Sequence, residues 1–515
     1  MLTALRRLSR GLNRQSANAL SQFPVLALMP SLVMAMALAS SSCAPESTTA
    51  PRQLVLLISV DTLRADHVGA FGGPADLTPR IDRLASESTI FSNTWSPAPF
   101  TLPSVSTLLS GRYPEENGVV RNDCALPNDV PTLATLFAEA GFATSAVVSN
   151  FVLRDVSGLA RGFNAYDDTF TRVEANRNVP ERDASQTTDA ALAWLDSPAA
   201  QSGPLFLWTH YQDPHGPYTP TAEQRARFFE RERSRPDGER QLSIDKQQFG
   251  LGAIPAYQVL ENRRDIAFYR AGYAGEVAAL DEQLGELFDG LAEQGLYDNA
   301  LIVFTADHGE SLGEGDYWFA HGEFLSQSLL NVPLIIRRPG QQTASRNDVS
   351  GLHDLLPTIA AHCDLPTPPG LSGRDLFADG GASRGSAVYL STLSGATVRR
   401  VGLVKGEHRL VLSKPGDNWE PQLWDLAREA SVEDDQLIRR WGRELTGLFA
   451  TLPLRPPNWQ SQMSDADLAD LRALGYLGGD EGQSSQSVHP GELPQIAAPS
   501  HSQGAENTPS SEKEP

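Results

Sequence analysis

The sequence predicts an α/β protein built on a mostly parallel sheet that helices cover on both faces. Short apolar segments alternate with amphipathic segments over roughly 300 residues, a pattern typical of parallel strands joined by helices. The chain has 515 residues, of which 40% are hydrophobic. That composition provides a large core and excludes a wholly disordered or fibrous chain.

Apolar runs bounded by polar residues mark the individual elements. Strands are predicted at residues 53–60, 143–148, 205–208 and 300–304, and helices at residues 132–140 and 269–290. From about residue 381 the pattern changes to short strands, followed by a helix near residues 434–449. We therefore predict a large α/β domain over residues 52–380 and a smaller α+β subdomain over residues 381–479.

The N-terminal residues have the layout of an export signal. Four arginines between residues 6 and 14 precede an apolar stretch at residues 23–39, and small residues then lead to Cys43. Cys43 in this setting resembles the acylated cysteine of a bacterial lipoprotein, although Ser40 departs from that pattern. We predict a signal peptide over residues 1–42, a lipid on Cys43 and a tether over residues 43–51. Plain cleavage after residues 37–39 and an uncleaved anchor are the alternatives.

Composition limits partners and location. The chain carries 42 Lys+Arg against 63 Asp+Glu, a net charge of -21, which disfavours nucleic-acid binding and attraction to an anionic bilayer. We expect an exported protein in the bacterial periplasm or at the cell surface, held on the membrane through a lipid anchor only. Residues 480–515 contain no aromatic residue and are predicted to form a disordered tail.

Two predicted strands end directly in metal-ligating side chains. Asp61 follows the strand at residues 53–60, and Asp307 and His308 follow the strand that begins at residue 300. The carboxyl ends of strands in such a sheet are where ligands bind. Each aspartate alone could be an ordinary turn residue. Together, two carboxylates and an imidazole indicate a divalent cation, with Mn²⁺ or Zn²⁺ favoured over Ca²⁺.

A hydroxyl group is predicted at the start of a short helix. Residues 99–114 (PFTLPSVSTLLSGRYP) place Pro103 in the first turn and Gly111 at the end, with Thr101 as the predicted N-cap. The free N–H groups and the dipole of a helix N-terminus favour an anionic substrate there.

These segments resemble the sulfatase family of the alkaline phosphatase superfamily. The matching segments are LLISVDTLRADHVGAFG (56–72), TLPSVSTLLSGRYPEENGV (101–119), YQDPHGPY (211–218), ALIVFTADHGESLGEGDYWFAHGE (300–323) and LRALGYLGG (471–479). The resemblance covers about residues 52–479 in the family's order. It implies an alkaline-phosphatase-like three-layer sandwich.

The resemblance also implies site residues. The metal ligands are Asp61, Thr101, Asp307 and His308, with Thr101 as the nucleophile. His215 matches a substrate-contacting histidine, His321 lies near the position of a lysine that contacts the ester, and Arg112 follows the Ser-Gly of the signature. His210 and Arg64 are further pocket candidates.

This chain departs from the sulfatases that use formylglycine. Those enzymes oxidise a Cys or Ser to an aldehyde, and Thr101 carries a methyl group on Cβ that prevents this. Val105 replaces the signature arginine, Thr62 replaces a second metal aspartate, and residues 148–150 (VSN) replace Gly-Lys-Trp-His. We therefore expect one divalent cation and no formylglycine.

These departures favour a phosphate-type ester as the substrate. An unmodified threonine is a sufficient nucleophile for phosphorus, and a metal ion makes its hydroxyl reactive at neutral pH. We predict a hydrolase or transferase acting on a small-molecule, lipid-headgroup or glycan ester (a phosphodiester, a phosphonate or a phosphomonoester). The alternatives are a sulfatase acting on a glycan or aryl sulfate, and an inactive glycan-binding relative.

Overall fold

A computed structural model of the chain describes residues 52–458, except residues 175, 177–178, 247–249, 379–386, 393–397 and 417. The predicted signal peptide, the predicted tether with Cys43 and the predicted tail lie outside the described residues. Within these residues, no helix combines the length and apolarity needed to cross a bilayer. Cys124 and Cys363 are both free thiols.

Twenty strands are present in the described residues. In chain order they are β1 (Leu54–Val60), β2 (Thr89–Trp95), β3 (Ala143–Val148), β4 (Ala165–Asp167), β5 (Arg172–Val173), β6 (Pro180–Glu181), β7 (Leu205–Tyr211), β8 (Ser243–Asp245), β9 (Ala253–Pro255), β10 (Leu301–Ala306), β11 (Ser311–Leu312), β12 (Trp318–Ala320), β13 (Asn331–Arg337), β14 (Ala344–Arg346), β15 (Ser350–Gly351), β16 (Ala387–Thr392), β17 (Arg399–Lys405), β18 (His408–Lys414), β19 (Glu420–Asp425) and β20 (Ala430–Ser431).

The helices lie mainly between the strands of the first three hundred described residues. They are α1 (Pro79–Ser86), α2 (Thr101–Ser110), α3 (Pro114–Asn117), α4 (Leu133–Glu139), α5 (Ala184–Asp196), α6 (Ala222–Arg233), α7 (Ile266–Glu293), α8 (Gln327–Leu330), α9 (Leu355–His362) and α10 (Asp435–Thr451). Single 3-10 turns occur at Ala65–His67, Gly69–Phe71, Phe151–Leu153, Asp155–Ser157, Pro198–Ala200, Ala256–Gln258, Glu314–Asp316 and Leu352–Asp354.

Nine strands form the central sheet, in the order β14-β2-β13-β10-β1-β7-β3-β4, with β15 also paired to β2. The strands β10, β1, β7, β3 and β4 run parallel, whereas β13 is antiparallel to both of its neighbours. Every residue of β1, β7 and β10 is buried, as expected for strands covered on both faces. The predicted α/β class with a mostly parallel sheet is confirmed.

A second, antiparallel sheet forms the C-terminal region. Strands β16 to β20 pair in sequential order, and one face of this sheet packs against α10 through Leu410, Leu412 and Leu445. The α+β character predicted for this part of the chain is confirmed. The predicted boundary at residue 381 lies outside the described residues.

Helix α2 differs from the sequence prediction by one residue at its start. Thr101 is the first helical residue, and the N-cap is Phe100, whose backbone is extended (φ −141°, ψ 140°). The prediction that Thr101 caps this helix is therefore wrong. The Phe100 carbonyl accepts from the Ser104 N–H at 3.2 Å, so the Thr101 hydroxyl is not used for capping.

Candidate metal centre and catalytic site

Two neighbouring strands deliver carboxylates to one edge of the central sheet. Asp61 follows β1 and Asp307 follows β10, and both side chains are completely buried. The Asp61 N–H donates to the Tyr211 carbonyl at 2.9 Å, and the Asp307 N–H donates to the Val60 carbonyl at 3.0 Å. These bonds extend the pairing of β1 with β7 and of β10 with β1 by one residue. The backbone hydrogen bonds of the sheet therefore fix the positions of Asp61 and Asp307.

Two histidines lie against this pair of carboxylates. His308 Nε2 is 3.9 Å from Asp61 Oδ1 and 3.7 Å from Asp307 Oδ2. His210 Nε2 is 3.6 Å from Asp61 Oδ2, because His210 pairs with Ser59 in the register of β7 and β1. Single ligand atoms of Asp61, His210 and Asp307 all lie within 4.8 Å of one another.

The buried polar atoms of this cluster fit a divalent cation. Hydrogen-bond partners are absent for Asp61 Oδ1, Asp307 Oδ2, His210 Nε2 and His308 Nε2, all of which are buried within the described structure. The hydroxyl of Thr101, at the start of α2, is likewise buried without a partner there. A buried polar atom without a partner is costly, and such atoms in a native protein require an explanation. Carboxylate and imidazole groups together are a donor set suited to a divalent metal ion.

Electrostatics lead to the same conclusion. Burial and the adjacent Asp61 carboxylate raise the pKa of Asp307 well above its ordinary value. Burial also opposes ionisation of Asp61, but His215, with His210 and His308, outweighs it and lowers the pKa of Asp61. Two buried carboxylates at such close range cannot both ionise easily without a cation between them.

The His308 ring is prepared to act as a neutral ligand. Its Nδ1–H donates to the Gly309 carbonyl at 2.9 Å, and a carbonyl can only accept, so the lone pair of the neutral ring is on Nε2. Burial, followed by the charge of His321, lowers the pKa of His308 to about 4. At neutral pH the ring is therefore uncharged, with Nε2 facing both carboxylates.

Thr101 is buried at the start of α2, between segments that carry site residues. Phe100, which precedes Thr101, packs closely against Gly322, which follows His321. A Cβ atom built on Gly322 would lie only 2.8 Å from Phe100 Cε1. Helix α2 also contacts the 3-10 turn Phe151–Leu153, which follows Asn150. Asn150 donates from Nδ2 to Asp61 Oδ2 at 2.5 Å.

His215 and His321 stand next to His308. The ring centroids of His308 and His321 are 4.6 Å apart, and those of His215 and His321 are 5.2 Å apart. The Nδ1–H of His215 donates to the Gly216 carbonyl at 2.8 Å, which leaves Nε2 as the acceptor of the neutral ring. The structure therefore brings both predicted histidines together with the metal-ligand candidates.

The buried carboxylate of Glu310 orients His321. His321 Nδ1 is 3.2 Å from Glu310 Oε1, and the Tyr218 hydroxyl donates to Glu310 Oε2 at 3.1 Å. Burial, more than any other cause, raises the pKa of Glu310 to about 7. Sequence reasoning missed Glu310, although its position three residues after Asp307 was an available signal.

The Arg64 side chain contacts the segment that follows Asp307. Its guanidinium donates to the Glu310 carbonyl at 3.1 Å and forms ion pairs with Asp66 at 2.6 Å and Glu314 at 2.8 Å. Although burial opposes its charge, these carboxylates raise the pKa of Arg64 well above its ordinary value. Arg64 is a positioning residue in this arrangement.

Arg112 is placed away from the cluster. It follows the C-terminal end of α2, and roughly 14 Å of helix axis separates that end from Thr101. Its guanidinium donates to the carbonyls of Pro369 at 2.9 Å and Gly370 at 2.8 Å. The expectation that Arg112 offsets charge at the ester stays a prediction, and the length of α2 and the bonds to these two carbonyls do not favour it.

Asn150 and Thr62 complete the surroundings of the carboxylates. Thr62 has a positive φ of 54°, and its N–H donates to Asp307 Oδ1 at 3.2 Å. In the sequence, Asn150 and Thr62 stand out only as departures from the sulfatase pattern. Their roles as hydrogen-bond donors to the two aspartates became visible only in three dimensions.

The family model for sulfatases matches residues 53–365 of this chain. The chain belongs to the sulfatase family. Among its relatives, the sulfatase YidJ of Escherichia coli (strain K12) is 24% identical over 364 residues, which cover 63% of this chain and 70% of YidJ. Members of this family usually bind a divalent metal, in agreement with the cluster around Asp61 and Asp307.

Solved structures establish the fold of this sulfatase-family chain. One neighbour, solved with its substrate D-glucosamine-2-N,6-O-disulfate, has a TM-score of 0.62 and 19% identity, covering 76% of this chain and 96% of its own. The phosphonate monoester hydrolase of Agrobacterium radiobacter has a TM-score of 0.62 and 20% identity, covering 78% and 95%. The alkaline-phosphatase-like architecture implied by the motifs is thereby confirmed.

Proposed function

We propose that this chain is an exported, metal-dependent hydrolase or transferase that cleaves a phosphate-type ester with unmodified Thr101 as the nucleophile. One observation carries the proposal: a threonine occupies the first position of α2, and its hydroxyl is buried and without a hydrogen-bond partner. Threonine cannot form the aldehyde of formylglycine, but its hydroxyl can attack phosphorus. The substrate is a small-molecule, lipid-headgroup or glycan ester.

One divalent cation, Mn²⁺ or Zn²⁺ rather than Ca²⁺, would be held by Asp61, Thr101, Asp307 and His308. A bound cation supplies Lewis acidity, which lowers the pKa of a coordinated hydroxyl and polarises the ester oxygens. His210 Nε2 faces the same carboxylates and is a further candidate ligand. The full burial of all these side chains places them in a medium of low dielectric constant and strengthens their interactions.

The residues of this chain can complete a two-step transfer. Thr101 Oγ1, having released its proton to solvent, attacks phosphorus, and the bond from phosphorus to the leaving oxygen breaks. Protonated His321, held through Nδ1 by Glu310, donates a proton to that oxygen, while His215, when its Nε2 also carries a proton, offsets charge on the phosphoryl oxygens. Water or an alcohol then gives a proton to His321, attacks phosphorus and releases Thr101.

A sulfatase in the ordinary sense is the second candidate. Its support is the family itself, a relative named as an N-acetylglucosamine-6-O-sulfatase and a structural neighbour solved with a sulfated substrate. The chemistry at residue 101 argues against it, because the usual release of sulfate from formylglycine proceeds through a hydrate that threonine cannot form.

A panel of esters tests the proposal. The mature protein and Thr101→Ala are incubated with Mn²⁺, Zn²⁺ or Ca²⁺ and nitrophenyl esters of phosphate, phosphodiester, phosphonate and sulfate. We expect Thr101-dependent turnover of at least one phosphorus ester, faster than that of the sulfate ester. Faster turnover of the sulfate ester would overturn the proposal, and no Thr101-dependent turnover of any ester would support the inactive glycan-binding alternative.

A further inference from the structure

A cavity of about 530 Å³ lies between the C-terminal sheet and the segment that follows Asp307 and His308. One wall is residues 314–328. The other wall is one face of the antiparallel sheet, where Arg409, Val411 and Ser413 alternate along β18. The intervening Leu410 and Leu412 point to the opposite face and pack in the hydrophobic core. The two-residue period of a strand thus separates a cavity face from a core face.

Arg409 is the unusual residue in this cavity. Its side chain is 5% exposed, yet Nε and Nη1 are buried without a hydrogen-bond partner. No carboxylate of the described residues lies within 4.0 Å of its guanidinium. A buried charge of this kind is costly unless it is paired, so its presence on a strand that could carry an apolar residue requires a reason.

Nearby charges do not supply that reason. Of the acidic residues that line the cavity, Glu314 is paired with Arg64 at 2.8 Å. Glu429 is the charged neighbour of Arg409, and burial, the dominant cause, lowers the pKa of Arg409 only to about 10. The other lining arginine, Arg400, is engaged by Glu323 at 3.8 Å. Arg409 therefore stays protonated at neutral pH, and it is a cation of the cavity lining with no carboxylate of the described residues paired to it.

The aromatic side chains around Arg409 suit a sugar ring. Trp424 is the direct cross-strand partner of Arg409, and the guanidinium carbon lies 5.5 Å from the Trp424 ring centroid. Tyr317 and Phe324 lie on the opposite wall. Aromatic faces with a few hydroxyl, amide and guanidinium groups are the lining expected for an oriented, hydroxylated ligand.

We propose that this cavity binds an anionic saccharide unit, with the anionic group at Arg409 and the sugar ring against Trp424. The anion is a carboxylate or an ester sulfate or phosphate, which share the ability to accept paired N–H bonds from a guanidinium. Tyr317 also donates from its hydroxyl to the His321 carbonyl at 2.5 Å, so this wall touches the segment that carries His321. The inference does not depend on which ester Thr101 cleaves, because the cavity only binds its ligand.

Calorimetric titration of the mature protein tests this site. The probes are D-glucuronate, D-glucose 6-sulfate, and neutral D-glucose as the control. We expect saturable binding of at least one acidic sugar and a much weaker response to glucose. Arg409→Met should weaken acidic-sugar binding roughly 10- to 100-fold, the range for losing hydrogen bonds to a charged group. Arg428→Met, the same change at an exposed position of the turn between β19 and β20, should leave it unchanged.

One further variant and a second measurement on Arg409→Met keep the inference falsifiable. Trp424→Ala should weaken binding without removing the charge, and Arg409→Met should raise the Tm of the ligand-free protein, because it removes an unpaired buried charge. Retained affinity in both Arg409→Met and Trp424→Ala would overturn the proposal. Acidic-sugar binding that disappears in His308→Ala but persists in Arg409→Met would place the ligand at the metal centre and would also overturn it.

Discussion

The Thr101 hydroxyl is the single group on which the proposed chemistry depends. It is buried, it caps no helix, and it has no hydrogen-bond partner in the described structure. Burying a hydroxyl without a partner costs about 1–3 kcal/mol. Function gives the most direct reason for that cost, because a hydroxyl engaged with its own helix would be a poor metal ligand and a poor nucleophile.

Replacing Thr101 tests its role as nucleophile. We expect Thr101→Ala to lower kcat/KM by roughly 10⁴-fold or more, the scale seen when a catalytic nucleophile is removed. Thr101→Ser should retain much of the activity, because it keeps the hydroxyl. Steady-state kinetics with the best phosphorus ester provides the measurement.

The matched control for these variants is Thr107→Ala in the same helix. The Thr107 hydroxyl already donates to the Pro103 carbonyl at 2.9 Å, so its loss should lower stability without a comparable loss of kcat. Equal loss of activity in Thr107→Ala and Thr101→Ala would show that damage to α2, and not the missing hydroxyl, explains the effect.

Metal removal tests the ligand set of Asp61, Asp307 and His308. A chelator should abolish turnover and lower the Tm, because a ligand that binds only the folded state stabilises it and two buried carboxylates are otherwise left facing each other. Adding back Mn²⁺ or Zn²⁺ should restore both. His308→Ala should raise the metal concentration needed for half-maximal activity, as measured by titration with each metal.

Turnover and Tm that are both indifferent to chelation would contradict a resident metal at this site. His67→Ala is the matched control, because His67 pairs with Asp66 outside the cluster. That substitution should leave the metal requirement unchanged.

Individual strands and helices show why much of the fold could be predicted from sequence. Strand β3 has the predicted bounds and β1 and β10 differ by one or two residues, because fully buried parallel strands are continuous apolar runs. Since Asp61 and Asp307 follow such strands directly, their placement at one sheet edge was also predictable. The ends of helices were less predictable. Helix α7, for example, extends three residues beyond the predicted helix at each end.

Other site features could not be predicted, because they depend on contacts between distant segments. His210 was a weak candidate in sequence, but strand register places it beside Ser59 and thus next to Asp61. Asn150 reaches Asp61 across 89 positions of the chain. Arg112 shows the opposite case, because it is close to Thr101 in the sequence signature but the length of α2 separates the two residues.

The packing of α3 against the C-terminal sheet should make stability depend on pH. Glu115 of α3 is buried, and Tyr389 of β16 donates to its carboxylate at 3.4 Å. Burial, as the largest cause, raises the pKa of Glu115 from 4.5 to about 7. The folded state therefore holds this proton more tightly than the unfolded state, so the contribution of Glu115 is present below pH 4.5 and is lost as the pH rises through about 7.

Glu115→Gln should remove that loss. Relative to the unsubstituted protein, the variant should gain about 1–3 kcal/mol in the free energy of unfolding at pH 8 and little at pH 4.5. Urea unfolding at the two pH values measures the difference. Glu139→Gln, at an exposed position of α4, is the control, and an effect of Glu115→Gln that is the same at both pH values would contradict the account.

The chain as a whole combines an acidic sulfatase-family protein with a leader that predicts export. Because the net charge of -21 does not favour an anionic bilayer, attachment to the membrane should depend on a lipid at Cys43. In a bacterial host, Cys43→Ser should move the protein from the membrane fraction to the soluble fraction and should abolish incorporation of labelled palmitate. Unchanged membrane association of Cys43→Ser would contradict the lipid anchor.

The central claim is that unmodified Thr101 carries the phosphoryl group during turnover. Its most direct test is intact-mass and peptide mass spectrometry of enzyme quenched while it turns over a phosphorus ester. We predict unmodified threonine at residue 101 in the resting enzyme and a phosphoryl adduct on Thr101 during turnover, absent from Thr101→Ala. Turnover of a phosphorus ester with the adduct on another residue would contradict this account.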